Sequence, residues 1–559
     1  MRGWIALMVL MLCWVSAGVA LSAETATRPG ATLSSGSSVQ GFASSHGERD
    51  GGGSDGLTPV EGATLSSGSS VQGSASSHGE RDGGGSDGLM PVEGATLSLG
   101  SSVQGFASSH GERDGGGSDG LMPVEGATRA PLIEAQATPA PQTAPAGESP
   151  PKNDTGDTAW VLISTALVML MTPGLAFFYG GMVGRKNILG ILMQCFALLC
   201  VISVQWVLYG YSLSFAPGKG FWGSLEWVGL KGVGFTPYKD YAATIPHQLF
   251  MMFQGMFAVI TPALIIGAFA ERMKFSAFMV FMILWATFVY DPVAHWVWGV
   301  GGWLKDLGAL DFAGGTVVHI NAGIAALMAA IFIGKRNGGG KAILPHNLPF
   351  TILGTALLWF GWFGFNAGSS LGANELAINA FVVTNTAAAA AGLSWALLDW
   401  MFNEKPTMLG MATGAVAGLV AITPGAGFVS ALSAIVIGIL VSVFCYMAVA
   451  VLKPRFGYDD ALDVFGVHCI GGIWGALATG LFASKAVNPA GADGLFFGNP
   501  KQFFVQLLAV VVTAVYSFVV SLVIYKVVDV IMKARVSEKD ETVGLDLTQH
   551  HENAYTILE

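Results

Sequence analysis

The chain has 559 residues, 52% of them hydrophobic and only 11% charged, against about 25% charged in an average soluble domain, and its mean hydropathy is +0.56. Such a balance excludes an ordinary soluble enzyme, a disordered scaffold and a nucleic-acid binder. Residues 1–157 carry 7 Lys/Arg and 17 Asp/Glu, while residues 158–559 carry 20 of each, so the net charge of −10 belongs to the N-terminal arm.

Met1–Ala23 reads as a secretory leader: Arg2, an apolar stretch from Trp4 to Val15, then small residues, with cleavage after Ala20 or Ala23. A retained first membrane span is the alternative, disfavoured by the short apolar run. Cys13 follows Leu12 and lacks the small neighbour of a lipoprotein signal. The mature N-terminus is therefore expected outside the cytoplasm. Residues 24–157 form a second region, an arm expected to be disordered. Near-identical 32-residue units start at Gly30, Gly62 and Gly94, and a fourth stops at Gly126–Thr128. Periods of this length can build solenoids, but each unit has too few apolar residues for a core, and its Gly, Ser and Asp suit a flexible linker. Each unit contains Asp-Gly-Gly-Gly-Ser-Asp-Gly, a conceivable calcium binder, yet without the nonapeptide spacing of calcium β-helices. A Pro/Ala-rich linker, Ala130–Lys152, follows.

Residues 158–534 hold eleven long apolar segments, at 158–181, 188–214, 246–270, 275–299, 311–334, 348–371, 376–400, 407–424, 428–452, 461–484 and 502–533. Most reach the ~20 residues that cross a bilayer. The fold class expected is an all-α membrane protein with eleven transmembrane helices. An external start and eleven crossings put the C-terminus, residues 535–559, in the cytoplasm. The loops then predicted to be cytoplasmic carry ten Lys/Arg and the external ones six, a bias of the correct sign. Cys195, Cys200, Cys445 and Cys469 lie in apolar runs with no CxxC or Cys/His spacing, so no disulfide framework, metal site or cofactor is expected.

The fifth and tenth segments share a pattern. Asp311 is followed after seven residues by His319 and after three more by Gly323-Ile324; Asp460, His468 and Gly472-Ile473 repeat it. The third and eighth share Ile-Thr-Pro, at Ile260–Pro262 and Ile422–Pro424. Five crossings separate the copies, and five is odd, so they enter from opposite faces. This implies two inverted five-helix repeats plus a long last helix, an architecture that places functional groups near the midplane of a transporter.

His319 and His468 are the main candidates, since an ionisable group inside a span is a functional hypothesis by default. The spacing from each Asp puts each His about 12 Å along a helix. In an apolar pore the neutral imidazole is favoured, a donor on one nitrogen and an acceptor on the other. Two such rings can share a proton and line a narrow path. A structural hydrogen-bonded pair is the plainer alternative, and bis-His haem ligation a third, although haem helices more often carry several paired histidines. Asp311 and Asp460 stand where a carboxylate caps backbone N–H groups and suits the helix dipole.

Longer matches now accumulate: Phe178-Tyr-Gly-Gly181 with Arg185-Lys-Asn187, Phe253-Gln-Gly255 with Phe257, Gly267-Ala-Phe-Ala-Glu-Arg272, Asp311 to Ala322, Gly361 to Ser369, and Asp463-Val-Phe-Gly-Val-His468. Over about 158–559 the chain resembles the ammonium transporter (Amt/Mep/Rh) family, closer to the bacterial Amt branch. The resemblance implies a transporter and no enzyme. It implies external recruitment of NH4+ at Trp298 with Ser369 and Phe257, a gate formed by Phe257 and Phe365, and a pore lined by His319 and His468. Ammonium would be deprotonated and NH3 conducted into the cytoplasm, with the proton moved separately in electrogenic members; a passive NH3 channel and an ammonium sensor are the rivals. Trp298 alone would read as a belt residue, and the two Phe as packing. Asp311 matches an acidic residue supporting the external site; Asp460 is kept as structural. The resemblance further implies a homotrimer in the bacterial inner membrane, and a regulatory tail, marked by Gly544 and Asp546, that binds PII-type signal proteins. His550-His551 stands where the family has His-Gly, and the repeat arm has no family counterpart.

Overall fold

The computed structural model describes residues 152–338 and 344–556. The expected leader and the repeat units lie outside the described residues. Eleven apolar helical segments follow in order: α1 (Thr155–Met182), α2 (Arg185–Phe215), α3 (His247–Phe269), α4 (Phe275–Leu307), α5 (Gly315–Ile333), α6 (Leu348–Ala367), α7 (Glu375–Asn403), α8 (Met408–Ile422), α9 (Ala431–Phe456), α10 (Phe465–Phe482) and α11 (Pro500–Met532). Two short helices end the chain, α12 (Glu538–Val543) and α13 (Leu545–His550).

Ten of the eleven are long and apolar enough to cross a membrane. The exception is α8, whose 15 residues span only about 22 Å. It was expected to run to Pro424 but ends at Ile422, because a proline has no N–H to extend the ladder and disfavours helix in the residue before it. The matching Pro262 instead sits inside α3, where Thr261 Oγ1 donates to the Phe257 carbonyl at 2.6 Å.

α1 packs along α6, and α7 lies against both α8 and α9. The first contact needs glycine: a Cβ on Gly174 would come 3.0 Å from Leu357 Cβ, and one on Gly354 would collide with the backbone of Phe178. Outward faces stay apolar. On α11, Val511, Val515, Val519, Val523 and Val527 are all exposed at steps of four residues, a row one helix face wide. With no polar groups on that stripe, lipid tails are its natural cover.

The edge that carries Arg272, Lys335 and Arg336 is tied by part-buried ion pairs. Arg336 bridges Glu271 at 2.9 Å and Asp459 at 2.7 Å. Burial alone would raise the Asp459 carboxyl, but Arg336 and Arg272 beside it bring it down to about 2.

Candidate functional site

The candidate site is built on the crossing of α5 and α10. Each begins with a π-helical turn, Gly315–Ile320 and Phe465–Cys469, and each histidine lies in that turn. The histidines therefore sit nearer the helix starts than the 12 Å expected, because Asp311–Gly314 forms a capping loop instead of helix. The two helices run antiparallel past one another: a Cβ on Gly323 would come 2.5 Å from the Cys469 backbone nitrogen, and one on Gly472 would come 3.0 Å from the Gly315 oxygen and 3.1 Å from His319 Cβ. Glycine four residues beyond each histidine thus permits the close approach. Gly323→Val is expected to cost about 1–3 kcal/mol by overpacking, measured as a lowered unfolding temperature; an unchanged value would show that the crossing tolerates expansion.

The crossing brings His319 and His468 together, as the repeat implied. Their Nδ1 atoms are 3.3 Å apart and their rings 5.4 Å apart at 18°. Both are almost wholly buried. In a neutral pair one Nδ1 donates and the other accepts, leaving the outer nitrogens free; His319 Nε2 has no protein partner. His319 also stacks on Trp362, at 5.4 Å and 18°, and Trp362 Nε1 donates to Thr423 Oγ1 at 2.9 Å. Sequence reasoning passed over Trp362. Its signals are its place in the matched stretch Gly361–Ser369 and its position three residues before Phe365, at the foot of the π-helical turn Phe363–Ala367.

Above the pair, Phe257 and Phe365 stack with centroids 4.2 Å apart. Trp298 stands edge-on to Phe257 at 6.0 Å and 89°. Its Nε1 donates to the Asp311 carbonyl at 2.8 Å. Ser369 Oγ donates to the Phe365 carbonyl at 2.8 Å, so its proton is engaged and its lone pairs remain as acceptors. Trp298, Ser369 and Phe257 line a bowl together with Gln254, Tyr241, Asp240 and Lys305. On the other side of the stack, Ile260, Leu264, Val318, Leu358, Val416, Trp362 and Phe365 enclose the lumen that holds both histidines. The phenyl pair thus lies between a polar bowl and a small apolar cavity lined by both histidines.

Asp311 caps α5 thoroughly. Oδ1 accepts from Gly314 and Gly315 at 2.8 and 2.7 Å, and Oδ2 from Thr316 and Val317 at 2.7 and 3.2 Å. Burial still raises this carboxyl above the usual range. Asp460, its repeat partner, accepts from the Phe465 N–H at 2.8 Å, while its buried Oδ1 has no partner. Burial, and then the nearby Asp463, raise its carboxyl to about 6.

The tail is docked. Gly544, at φ +116°, lies against Lys186, whose side chain would meet any Cβ there. Asp546 Oδ1 accepts from the Gly190 N–H at 2.8 Å, at the start of α2, and Leu545 N–H donates to Asn187 Oδ1 at 2.8 Å. His551, at φ 57°, adopts the left-handed conformation that glycine takes without steric cost, and its N–H closes α13 on the Leu547 carbonyl.

Residues 159–555 match the model of the Ammonium Transporter Family. The chain is 58% identical over 400 residues to an ammonium transporter of Bacillus subtilis, covering 72% of this chain and 98% of that one. The crystal structure of Mep2 from Candida albicans superposes with a TM-score of 0.67 at 39% identity, over 72% of this chain and 90% of the other. A sensor Amt protein aligns with a TM-score of 0.65 at 29% identity, over 71% and 98%.

Proposed function

The chain belongs to the ammonium transporter family, and on that premise we propose that it carries ammonium across the bacterial inner membrane through the lumen of His319 and His468. The observation that carries the reading is the aromatic stack of Phe257 and Phe365, which separates a bowl of cation acceptors from an apolar channel containing two paired imidazoles. NH4+ meets the indole of Trp298 and the hydroxyl oxygen of Ser369, where a cation over an aromatic face gains about 0.5–2 kcal/mol. That is enough to offset some hydration without trapping the ion.

Past the phenyl pair nothing replaces the water shell of an ion, so ammonium surrenders a proton and NH3 moves on between Val318, Leu264 and the imidazole edges. The proton travels separately along the histidine pair, whose rings present both a donor and an acceptor. K+ has no proton to give, which makes the discrimination chemical. The docked tail and its Asp546 contact support the reading of a regulatory element that a PII-type protein would engage, and the apolar outer helix faces suit a homotrimer in lipid.

The test is uptake by purified protein in liposomes, read from an internal pH dye. Saturable, ammonium-specific uptake is expected. Trp298→Leu should raise the half-saturation concentration about fivefold, the scale of one lost cation–π contact; an unaltered concentration dependence would remove Trp298 from recruitment.

A further inference from the structure

The bowl outside the phenyl stack holds a cation of its own. Lys305, in the last turn of α4, lines it beside Trp298, Tyr241, Asp240 and Ser369. Its Nζ donates to the Trp298 carbonyl at 3.0 Å and lies over the Tyr241 ring, 5.4 Å from the centroid. Tyr241 is fixed in place for this contact. Its ring stacks on Phe250 at 4.7 Å and 9°, while its hydroxyl donates to the Phe215 carbonyl and accepts from the Val300 N–H at 2.9 Å. A lysine head is an alkylated ammonium ion, with three N–H donors and one positive charge. The carbonyl and ring face that it uses are therefore those that a free ammonium ion would use.

We propose that the Trp298 carbonyl and the Tyr241 face form an outer ammonium subsite, that Lys305 occupies it as a tethered competitor, and that this charge sets the half-saturation concentration and keeps other monovalent cations from the mouth. The proposal rests on reading the bowl as the recruitment site. Removing the charge acts twice in one direction. It frees a carbonyl and an aromatic face, and it removes a positive charge from the bowl that Asp240 also lines. The freed subsite does not distinguish NH4+ from K+, because a ring face and one carbonyl suit any weakly hydrated monovalent ion. Selection against K+ comes later, where a proton must be released. K+ therefore dwells in the vacated mouth without passing, and becomes an inhibitor.

The experiment uses the full chain in liposomes, with Lys305→Met, which keeps the side-chain length without the charge, and Lys305→Arg, which keeps the charge. Lys305→Met is expected to lower the half-saturation concentration for ammonium about fivefold and to make uptake sensitive to competitive inhibition by excess K+; Lys305→Arg should move both far less. An unchanged or raised half-saturation in Lys305→Met, with no K+ inhibition, overturns the proposal. Trp298→Leu in the same preparation separates the failures. If it weakens recruitment while Lys305→Met does nothing, the outer subsite alone is wrong; if it too does nothing, the recruitment reading falls and the subsite with it. Should Lys305→Met not be recovered folded, Lys305→Ala carries the test, with the half-saturation expected to fall and K+ to inhibit, and no change in either overturning the proposal.

Discussion

Replacing His319 and His468 together with leucine is expected to abolish selective ammonium uptake while leaving a folded protein. These imidazoles are the ionisable groups of a lumen otherwise walled by Ile260, Leu264, Val318, Leu358 and Val416. Without them a proton released at the phenyl stack has no acceptor, and NH3 has no polar edge to pass along. Positioned proton-transfer groups contribute about 10²–10⁴-fold, so uptake should fall at least about a hundredfold. Stability should move little, because removing both members of a buried hydrogen-bonded pair in favour of apolar groups of similar size is close to neutral. If the pair were merely structural, the outcome would invert: uptake and selectivity would survive in the double variant. Uptake in liposomes, paired with thermal unfolding of the same sample, decides between the two.

Asp311→Ala is expected to have the larger effect on the fold. The carboxylate satisfies four backbone N–H groups at the start of α5, all buried. Each orphaned donor costs about 1–3 kcal/mol, so at least about 4 kcal/mol should be lost, a large share of the stability of any domain. Uptake should fall with it, since the cap fixes both the loop whose residue-311 carbonyl accepts from the Trp298 indole and the turn that aims His319. The repeat partner should behave differently. Asp460 holds the Phe465 N–H and keeps an unpartnered buried oxygen, so Asp460→Ala should cost only about 1 kcal/mol, and lose part of even that by removing a poorly solvated carboxyl. Equal losses in the two variants, measured as unfolding temperature, would contradict the asymmetry of the caps.

The meeting of the two histidines was legible from spacing alone. An odd number of crossings between two copies of one pattern requires inversion, and inversion brings equivalent residues to a shared axis. The capping role of Asp311 was legible for the same reason that caps are generally legible, since acidic residues before an apolar run satisfy free N–H groups. The local geometry was not. A π-helical turn leaves no mark in hydrophobic periodicity, so the depth of His319 was overestimated along a segment that includes a four-residue cap. The end of α8 was legible to within two residues, since the expected segment stops at Pro424 and the helix at Ile422. Trp362 and Lys305 escaped because a tryptophan in a membrane helix that also holds Trp359, and a lone lysine near a helix end, ordinarily mean packing and an interfacial anchor. Only their partners, His319 for one and Tyr241 with Trp298 for the other, distinguish them. His551 shows the converse, a left-handed position retained without the glycine that eases it.

The most direct measurement is the current evoked by ammonium across liposomes containing the purified protein, with K+ as the control ion. The account predicts a saturable current specific to ammonium, lost in the His319/His468 double variant. Ammonia flux detected by pH without any current would contradict the separate passage of a proton and indicate a passive NH3 channel. Neither current nor flux from folded, inserted protein would contradict transport itself.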